Sequence, residues 1–178
     1  ALVKAGGMTL LQRLIHKLKV QGVTEIVVNV HHYAEQVRKF LEEQNNFNIP
    51  ITISDESDHL LETGGGIKNA ARFLDGDEAF IVHNVDVLSD VDLRKVYADH
   101  ITNKSLVTLA VRNRETSRYL LFDESFRMHG WENRNNGERI IPSGDGMGLQ
   151  SLAFSGIHVI SPTIFPLISE KGAFSIID

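Results

Sequence analysis

Hydrophobic positions along the first half of the chain follow helical and strand spacing in turn. Residues 10–18 have a helical spacing of apolar side chains, with Thr9 placed to cap the helix and Gly22 placed to end it. Residues 25–30 are short, β-branched and almost continuously apolar, which is typical of a strand covered on both faces. The pattern therefore predicts a helix followed by a buried strand.

The same alternation continues to residue 111 and then changes. Strands that alternate with helices of this length imply βαβ units around a mostly parallel sheet. Beyond Arg112, short strand-like segments separated by Gly- and Asn-rich turns predict antiparallel additions, so we expect one α/β domain over residues 1–178. Helices are predicted around Val37 to Leu41 and over 66–74 and 92–103, and strands over 49–53, 79–85, 106–111, 119–122, 128–131 and 152–160.

Composition narrows the possible functions. The chain has 178 residues, 42% of them hydrophobic, which is enough to bury a core. Its 18 basic and 23 acidic side chains give a net charge of −5, so we expect neither a nucleic acid nor a membrane as partner. The absence of cysteine excludes disulfides, thiolate zinc sites and cysteine nucleophiles, and it fits a cytoplasmic protein. Because the net charge is negative, a phosphate group would have to be recognised by a few residues at one site.

Candidate chemistry lies after the apolar runs, because ligands of open α/β sheets bind beyond the carboxyl ends of strands. The glycines at positions 64–66 stand between a strand and a helix, where a backbone without Cβ atoms can approach a flat or anionic ligand. A flexible turn is the alternative interpretation. The segment is neither a P-loop nor a dinucleotide fingerprint, which argues against an oxidoreductase domain.

Two aspartates are candidate metal ligands. Asp86 follows a buried strand, where a carboxylate is costly unless it is paired or binds a cation such as Mg²⁺. Asp178 ends the sequence, and by spacing alone it is more simply interpreted as the cap of a further helix. The eight histidines lack metal-site spacing, and we expect the side chains of His31 and His32 to point to opposite faces of an extended segment. A zinc centre is therefore not expected.

Four segments in order carry a family resemblance that spans the whole chain. They are GVTEIVVN at 22–29, LETGGGI at 61–67, NVD at 84–86 and FSGIHVI at 154–160. Together they resemble the sugar-1-phosphate nucleotidyltransferases, particularly the small bacterial branch with N-acetylmuramate-1-phosphate uridylyltransferases and enzymes labelled mannose-1-phosphate guanylyltransferase.

The resemblance implies a GT-A-like, Rossmann-related fold and an enzyme that converts an NTP and a sugar-1-phosphate to an NDP-sugar and pyrophosphate. Such nucleotide-sugars serve the bacterial cell envelope. By the same resemblance, Asp86 and Asp178 would be catalytic and would bind Mg²⁺. Nucleotide contacts would come from Glu56, Glu62, Thr63, Gly64 and Gly65, and sugar contacts from Glu132, Ser155 and Gly156.

The sequence also departs from the family pattern. Val85 replaces the glycine of a usual Asn-Gly-Asp, and Asn133 stands where many members have a phosphate-binding lysine. The N-terminal signature loop of the family is missing before Ala1, so we expect a domain truncated at its N-terminus and also at its C-terminus, and inactive by itself. A catalytically impaired nucleotide- or sugar-binding regulatory module is the alternative. We favour uridylyl over guanylyl transfer and leave the sugar and the oligomeric state open.

Overall fold

The computed structural model describes residues 1–74, 76–142, 144 and 146–177. No helix within these ranges is long and apolar enough to cross a membrane. The helices are α1 (Leu10–Val20), α2 (Ala34–Glu43), α3 (Glu62–Asn69), α4 (Ala71–Leu74) and α5 (Leu93–Asn103), with 3₁₀ helices at Asn45–Asn48 and Pro162–Leu167. The strands are β1 (Lys4–Ala5), β2 (Met8–Thr9), β3 (Ile26–Val30), β4 (Ile51–Asp55), β5 (Phe80–His83), β6 (Val107–Arg112), β7 (Arg118–Phe122), β8 (Met128–Asn133), β9 (Glu138–Ile140) and β10 (Gln150–Ile160).

The first helix forms where the sequence predicts it. Thr9 precedes α1, and its Oγ1 accepts a hydrogen bond from the N–H of Gln12 at 3.1 Å. The apolar stripe of α1 buries Leu11, Ile15 and Leu18. Because these three side chains belong to two different core clusters, α1 ties two parts of the core together.

The strands form a mixed arrangement around β10. Strands β3 and β4 pair in parallel, whereas β10 pairs antiparallel with β5, β6 and β7. Residues 158–160 of β10 pair with both β5 and β6, so these two strands flank β10 and run parallel to each other. Strands β8 and β9 extend the sheet beyond β7. The expected α/β class with antiparallel additions is confirmed, but antiparallel pairing also occurs in the first half of the chain, between β1 and β2 and at β5.

Three clusters of buried side chains form the core of the described chain. The first cluster lies between α1, α2 and the parallel pair, and includes Ile15 and Leu41. The second joins α1, α5 and β10 through Leu18, Leu93 and Ile157. The third lies in the antiparallel part of the sheet and consists of Leu120, Phe122 and Trp131, with Phe154 and Ile177 packed against it. The side chains of Val23 and Ile26 contact both the first and the second cluster.

The three glycines lie inside a helix and not in a loop before it. The sequence predicts a helix over 66–74, with the first two glycines in the loop before it. In the structure, α3 already begins at Glu62, whose φ is +59°, and Gly64 to Gly66 are buried within it. Tertiary packing on these glycines, described below, overrides their low helix propensity.

Candidate active site

A cavity of about 520 Å³ opens where the parallel strands β3 and β4 end. Its location agrees with the rule that ligands of open α/β sheets bind beyond the carboxyl ends of strands. Three of the five predicted nucleotide-binding residues, Glu56, Glu62 and Thr63, come together in its wall. The complete lining is Asn29, His31, Glu56, Leu60, Glu62, Thr63, Arg118 and Ser175.

Glu56 places a buried carboxylate in this wall. The residue is 5% exposed, and its backbone N–H donates to the carbonyl of Val30 at 2.8 Å. Its Oε2 accepts a hydrogen bond from the N–H of Leu61 at 3.3 Å, whereas Oε1 has no partner among the described residues. A buried acceptor without a donor costs about 1–3 kcal/mol. This oxygen is buried and faces Gly66 of α3, so a ligand N–H in the cavity would reach it only after the Glu56 side chain turned toward the cavity.

Gly66 allows the cavity residues to approach α3 closely. A Cβ at this position would lie 2.7 Å from Oε1 of Glu56 and 2.6 Å from Nδ2 of Asn29. Both distances are shorter than any ordinary contact of a carbon atom, so a larger residue would displace both side chains. The third glycine therefore shapes the cavity without lining it.

The amides of Gly64 and Gly65 are engaged within the chain. Both donate to the carbonyl oxygen of Phe174, at 2.9 and 3.2 Å, and the N–H of Ile176 donates to Oγ1 of Thr63 at 3.1 Å. A backbone amide has one proton to donate. Direct contact of these two amides with a nucleoside base stays a prediction. It would require the carbonyl group of Phe174 to move away from α3.

Asp86 lies in an exposed turn directly after β5. The N–H of Asn84 donates to the carbonyl of Gly156 at 2.9 Å, which fastens this turn to β10. Gly156 has a φ of +70°, and a Cβ there would lie 2.9 Å from Nδ2 of Asn84 and 3.0 Å from Cγ2 of Val87. The structure thus brings the turn of the predicted metal ligand against Gly156, a predicted sugar-binding residue, with Ser155 beside it.

Two titratable side chains lie at the two sides of the Asp86 turn: His83 ends β5, and Nζ of Lys17 donates to the carbonyl of Ser89 at 2.7 Å. The pKa of His83 is lowered, mainly by burial and further by the Lys17 ammonium, while a bond to the carbonyl of Asn84 and the Asp86 carboxylate oppose the shift. Burial also lowers the pKa of Lys17, against the attraction of Asp90. The lowered pKa favours the neutral form of His83, so this side chain contributes less positive charge beside Asp86.

Asp86 is suited to hold Mg²⁺ together with substrate phosphates. Its carboxylate is exposed and makes no hydrogen bond or ion pair within the described part of the chain. Mg²⁺ is usually bound by one or two carboxylates and by phosphate oxygens. Asp178, the second predicted ligand, lies outside the described residues. Across residues 1–74, 76–142, 144 and 146–177, no group of three or more acidic or histidine side chains could hold a metal ion. Metal binding by the two aspartates stays a prediction.

Glu132, a predicted sugar ligand, is bound to other side chains on the antiparallel part of the sheet. Its Oε1 accepts hydrogen bonds from Nε of Arg134 at 3.0 Å and from Oγ of Ser151 at 3.1 Å. Its Oε2 lies 3.9 Å from Nε of Arg139. A sugar hydroxyl would have to compete with these partners, so the role of Glu132 stays a prediction.

Two cavity residues near β3 were missed by the sequence reasoning. Asn29 had a usable signal, because it is a polar residue at the end of an apolar strand. No local pattern marks His31, and the expectation that the side chains of His31 and His32 point to opposite faces is wrong. Their rings stack with centroids 4.2 Å apart, because the chain leaves strand geometry after Val30.

Leu60 lies directly before the LETGGGI segment, and the other two lining residues that were not predicted come from distant parts of the chain. Arg118 begins β7, and its guanidinium carbon lies 5.9 Å from the centroid of the Trp131 ring. Ser175 lies more than a hundred positions after Thr63 in the sequence, yet both line the same cavity. No local pattern marks either residue, since only tertiary packing brings them to the ends of β3 and β4.

Comparisons with known proteins agree with this geometry. A family model described as “Nucleotidyl transferase” matches residues 1–123. The chain is 30% identical over 171 residues to the N-acetylmuramate alpha-1-phosphate uridylyltransferase of Neisseria meningitidis serogroup B, across 92% of this chain and 67% of that protein. It is 40% identical over 88 residues to the protein of the same name from Caulobacter vibrioides, across 48% of this chain and 36% of that protein. The alignments thus span between about a third and two thirds of these relatives.

A solved structure shares the fold across almost the whole chain. HddC from Yersinia pseudotuberculosis superimposes with a TM-score of 0.78 and 23% sequence identity, and the alignment covers 99% of this chain and 72% of that one. The similarity confirms the GT-A-like α/β fold that the sequence resemblance implies.

Proposed function

Because this chain belongs to the nucleotidyl transferase family, we propose that it binds an NTP and a sugar-1-phosphate and acts in their conversion to an NDP-sugar and pyrophosphate. The proposed NTP is UTP, since both relatives described above are named uridylyltransferases. The observation that carries the proposal is the cavity at the ends of β3 and β4, where Glu56 offers a buried acceptor beside Glu62 and Thr63.

The free oxygen of Glu56 supports recognition of a base with one N–H. Its Oε2 is already bonded to Leu61, so one oxygen is left for the ligand. The uracil of UTP offers a single ring N–H, at N3, which matches this acceptor; the guanine of GTP also offers one, at N1, whereas adenine and cytosine offer none. A base that leaves the carboxylate oxygen unpaired would lose about 1–3 kcal/mol of binding free energy, which is a sufficient difference for selectivity.

The transfer needs positioning and charge neutralisation and no protein nucleophile. A phosphate oxygen of the sugar-1-phosphate attacks the α-phosphorus of UTP, a new P–O bond forms, and the bond to pyrophosphate breaks. Asp86 and Asp178 would hold Mg²⁺, which when bound neutralises charge on the phosphates. The hydrogen bond between Asn84 and Gly156 holds the Asp86 turn in place.

Replacing one carboxylate tests the proposal. We expect Asp86→Asn in the intact protein to lower Mg²⁺-dependent pyrophosphate release from UTP and a sugar-1-phosphate by at least about 100-fold. Asp90→Asn makes the same charge change four positions later, outside the proposed site, and should retain activity. Circular dichroism checks that both variants are folded.

The assay uses a grid of NTPs and sugar-1-phosphates, so that the base and the sugar are identified together. Undiminished pyrophosphate release by Asp86→Asn would remove Asp86 from the mechanism. Calorimetry with and without Mg²⁺ gives the second readout. Nucleotide binding without turnover by the wild-type protein would favour a regulatory module of the same fold over an enzyme.

A further inference from the structure

Residues 172–176, here called the docking segment, pack along the start of α3. Phe174 bonds to α3 in both directions: its carbonyl accepts from Gly64 and Gly65, and its N–H donates to the carbonyl of Leu61 at 3.2 Å. Ser175, the next residue, lines the cavity at the ends of β3 and β4. The docking segment therefore connects the glycines of α3 to the wall of the proposed nucleotide site.

The two glycines are needed for this close packing. A Cβ at Gly64 would lie 2.3 Å from the ring of Phe174 and 3.0 Å from its carbonyl oxygen, and a Cβ at Gly65 would lie 2.3 Å from the carbonyl oxygen of Gly172. Alanine is a better helix former than glycine. Glycine at these two helical positions is therefore explained by the approach of the docking segment.

The docking segment is held on both sides along the chain. Before it, Nζ of Lys68 in α3 donates to the carbonyls of Ile168 and Glu170. After it, the side chain of Ile177 packs against the third core cluster. These contacts restrain the segment in addition to its own hydrogen bonds, so it is part of the folded domain.

We propose that the docking segment stays in place when the nucleotide binds, and that Gly64 and Gly65 are positioning residues that hold it as one wall of the cavity. Their N–H groups already donate to the carbonyl of Phe174, so the glycines act through the docking segment and not by direct contact with the base. Ser175 is then the residue through which the segment reaches the ligand. This inference rests on the proposed binding of UTP.

Amide hydrogen exchange separates a fixed wall from a displaced one. With saturating UTP and Mg²⁺, exchange at Gly64, Gly65 and Ile176 should slow by about tenfold or more, because nucleotide binding stabilises the docked state. Gly137, whose N–H donates to Asn133 in a distant turn, is the control and should not change. Faster or unchanged exchange at the three amides would overturn the inference.

A double-mutant cycle tests the role of the glycines independently. Gly64→Ala should weaken UTP binding about tenfold in the wild-type background and less than about threefold in a Phe174→Ala background, where the ring no longer obstructs the Cβ. Gly76→Ala, at a glycine with open space around it, should leave affinity unchanged. Equal losses in both backgrounds would indicate direct contact of Gly64 with the base and would contradict our inference.

Calorimetric titration of the wild-type protein with UTP keeps the two proposals apart. If the protein binds no UTP, the proposed function fails and this inference fails with it. If UTP binds while the exchange rates or the mutant cycle contradict the fixed wall, the inference alone is overturned.

Discussion

His158 is a buried histidine whose two ring nitrogens have no hydrogen-bond partner among the described residues. It lies in β10, and its ring stacks on Phe154 with centroids 5.3 Å apart. Burial lowers its pKa from 6.5 to about 4. The folded protein therefore keeps this ring neutral at pH values where the unfolded chain would protonate it.

This difference predicts acid sensitivity at one residue. As pH falls from about 6.5 to about 4, the unfolded chain takes up a proton that the folded chain does not, so the free energy of unfolding decreases by about 3 kcal/mol. His158→Phe should remove that decrease and should be at least as stable as wild type at pH 7. Urea denaturation at pH 7, 5 and 4 measures both. Parallel pH profiles for the two proteins would contradict the prediction.

The surroundings of each proposed site residue explain whether it could be predicted from the sequence. Asp86 was found because a polar residue after a buried strand is visible in the sequence. Glu56 entered only through family resemblance, and its unpartnered oxygen results from packing against Gly66. Glu132 had a predicted sugar role, yet its arginine partners come from the neighbouring turn and strand pairing.

At the scale of elements, α1 depends on its cap. Thr9 accepts the hydrogen bond of Gln12 and is itself 6% exposed, so no water can readily replace its hydroxyl. We expect Thr9→Ala to lower the free energy of unfolding by about 1 kcal/mol. Thr9→Ser, which keeps the hydroxyl, is the matched control and should lose less. Chemical denaturation compares them, and equal losses would assign the effect to the buried methyl group.

Helix α3 and strand β10 show how elements acquire function through their partners. The sequence of α3 has a low helix propensity because of its glycines. The same glycines allow Phe174 and the carboxylate of Glu56 to pack closely against the helix. Strand β10 carries Gly156 where its register with β6 shifts, between Phe154 and His158. At this irregularity the carbonyl of Gly156 accepts a hydrogen bond from the N–H of Asn84, close to the proposed metal ligand Asp86.

At the scale of the whole molecule, Leu93 links distant parts of the core. It is 1% exposed and packs in the cluster that joins α1, α5 and β10. Leu93→Ala should lower the free energy of unfolding by about 3 kcal/mol, through lost burial and a residual cavity. Ile101→Ala truncates a side chain of the same helix that is 52% exposed, and should change stability little.

Two probes show whether the loss concerns the entire fold. The fluorescence of Trp131, the single tryptophan, reports on the antiparallel part of the sheet, and far-UV circular dichroism reports on the helices. We expect both transitions of Leu93→Ala to shift together to lower denaturant concentration. Separate transitions would indicate that the core clusters unfold independently.

The main helices and strands, the α/β class and the position of Asp86 directly after β5 could be predicted from the sequence itself, whereas the exposure of Asp86 could not. Each of the predictable features follows from local regularities: the spacing of apolar side chains, capping residues, and polar groups that follow buried strands. The tertiary structure decided which strands pair antiparallel, why the glycines lie within α3, and how Arg118 and Ser175 reach the cavity of Asn29 and Glu56. These features depend on contacts between segments far apart in the chain, which close packing selects and local spacing does not encode.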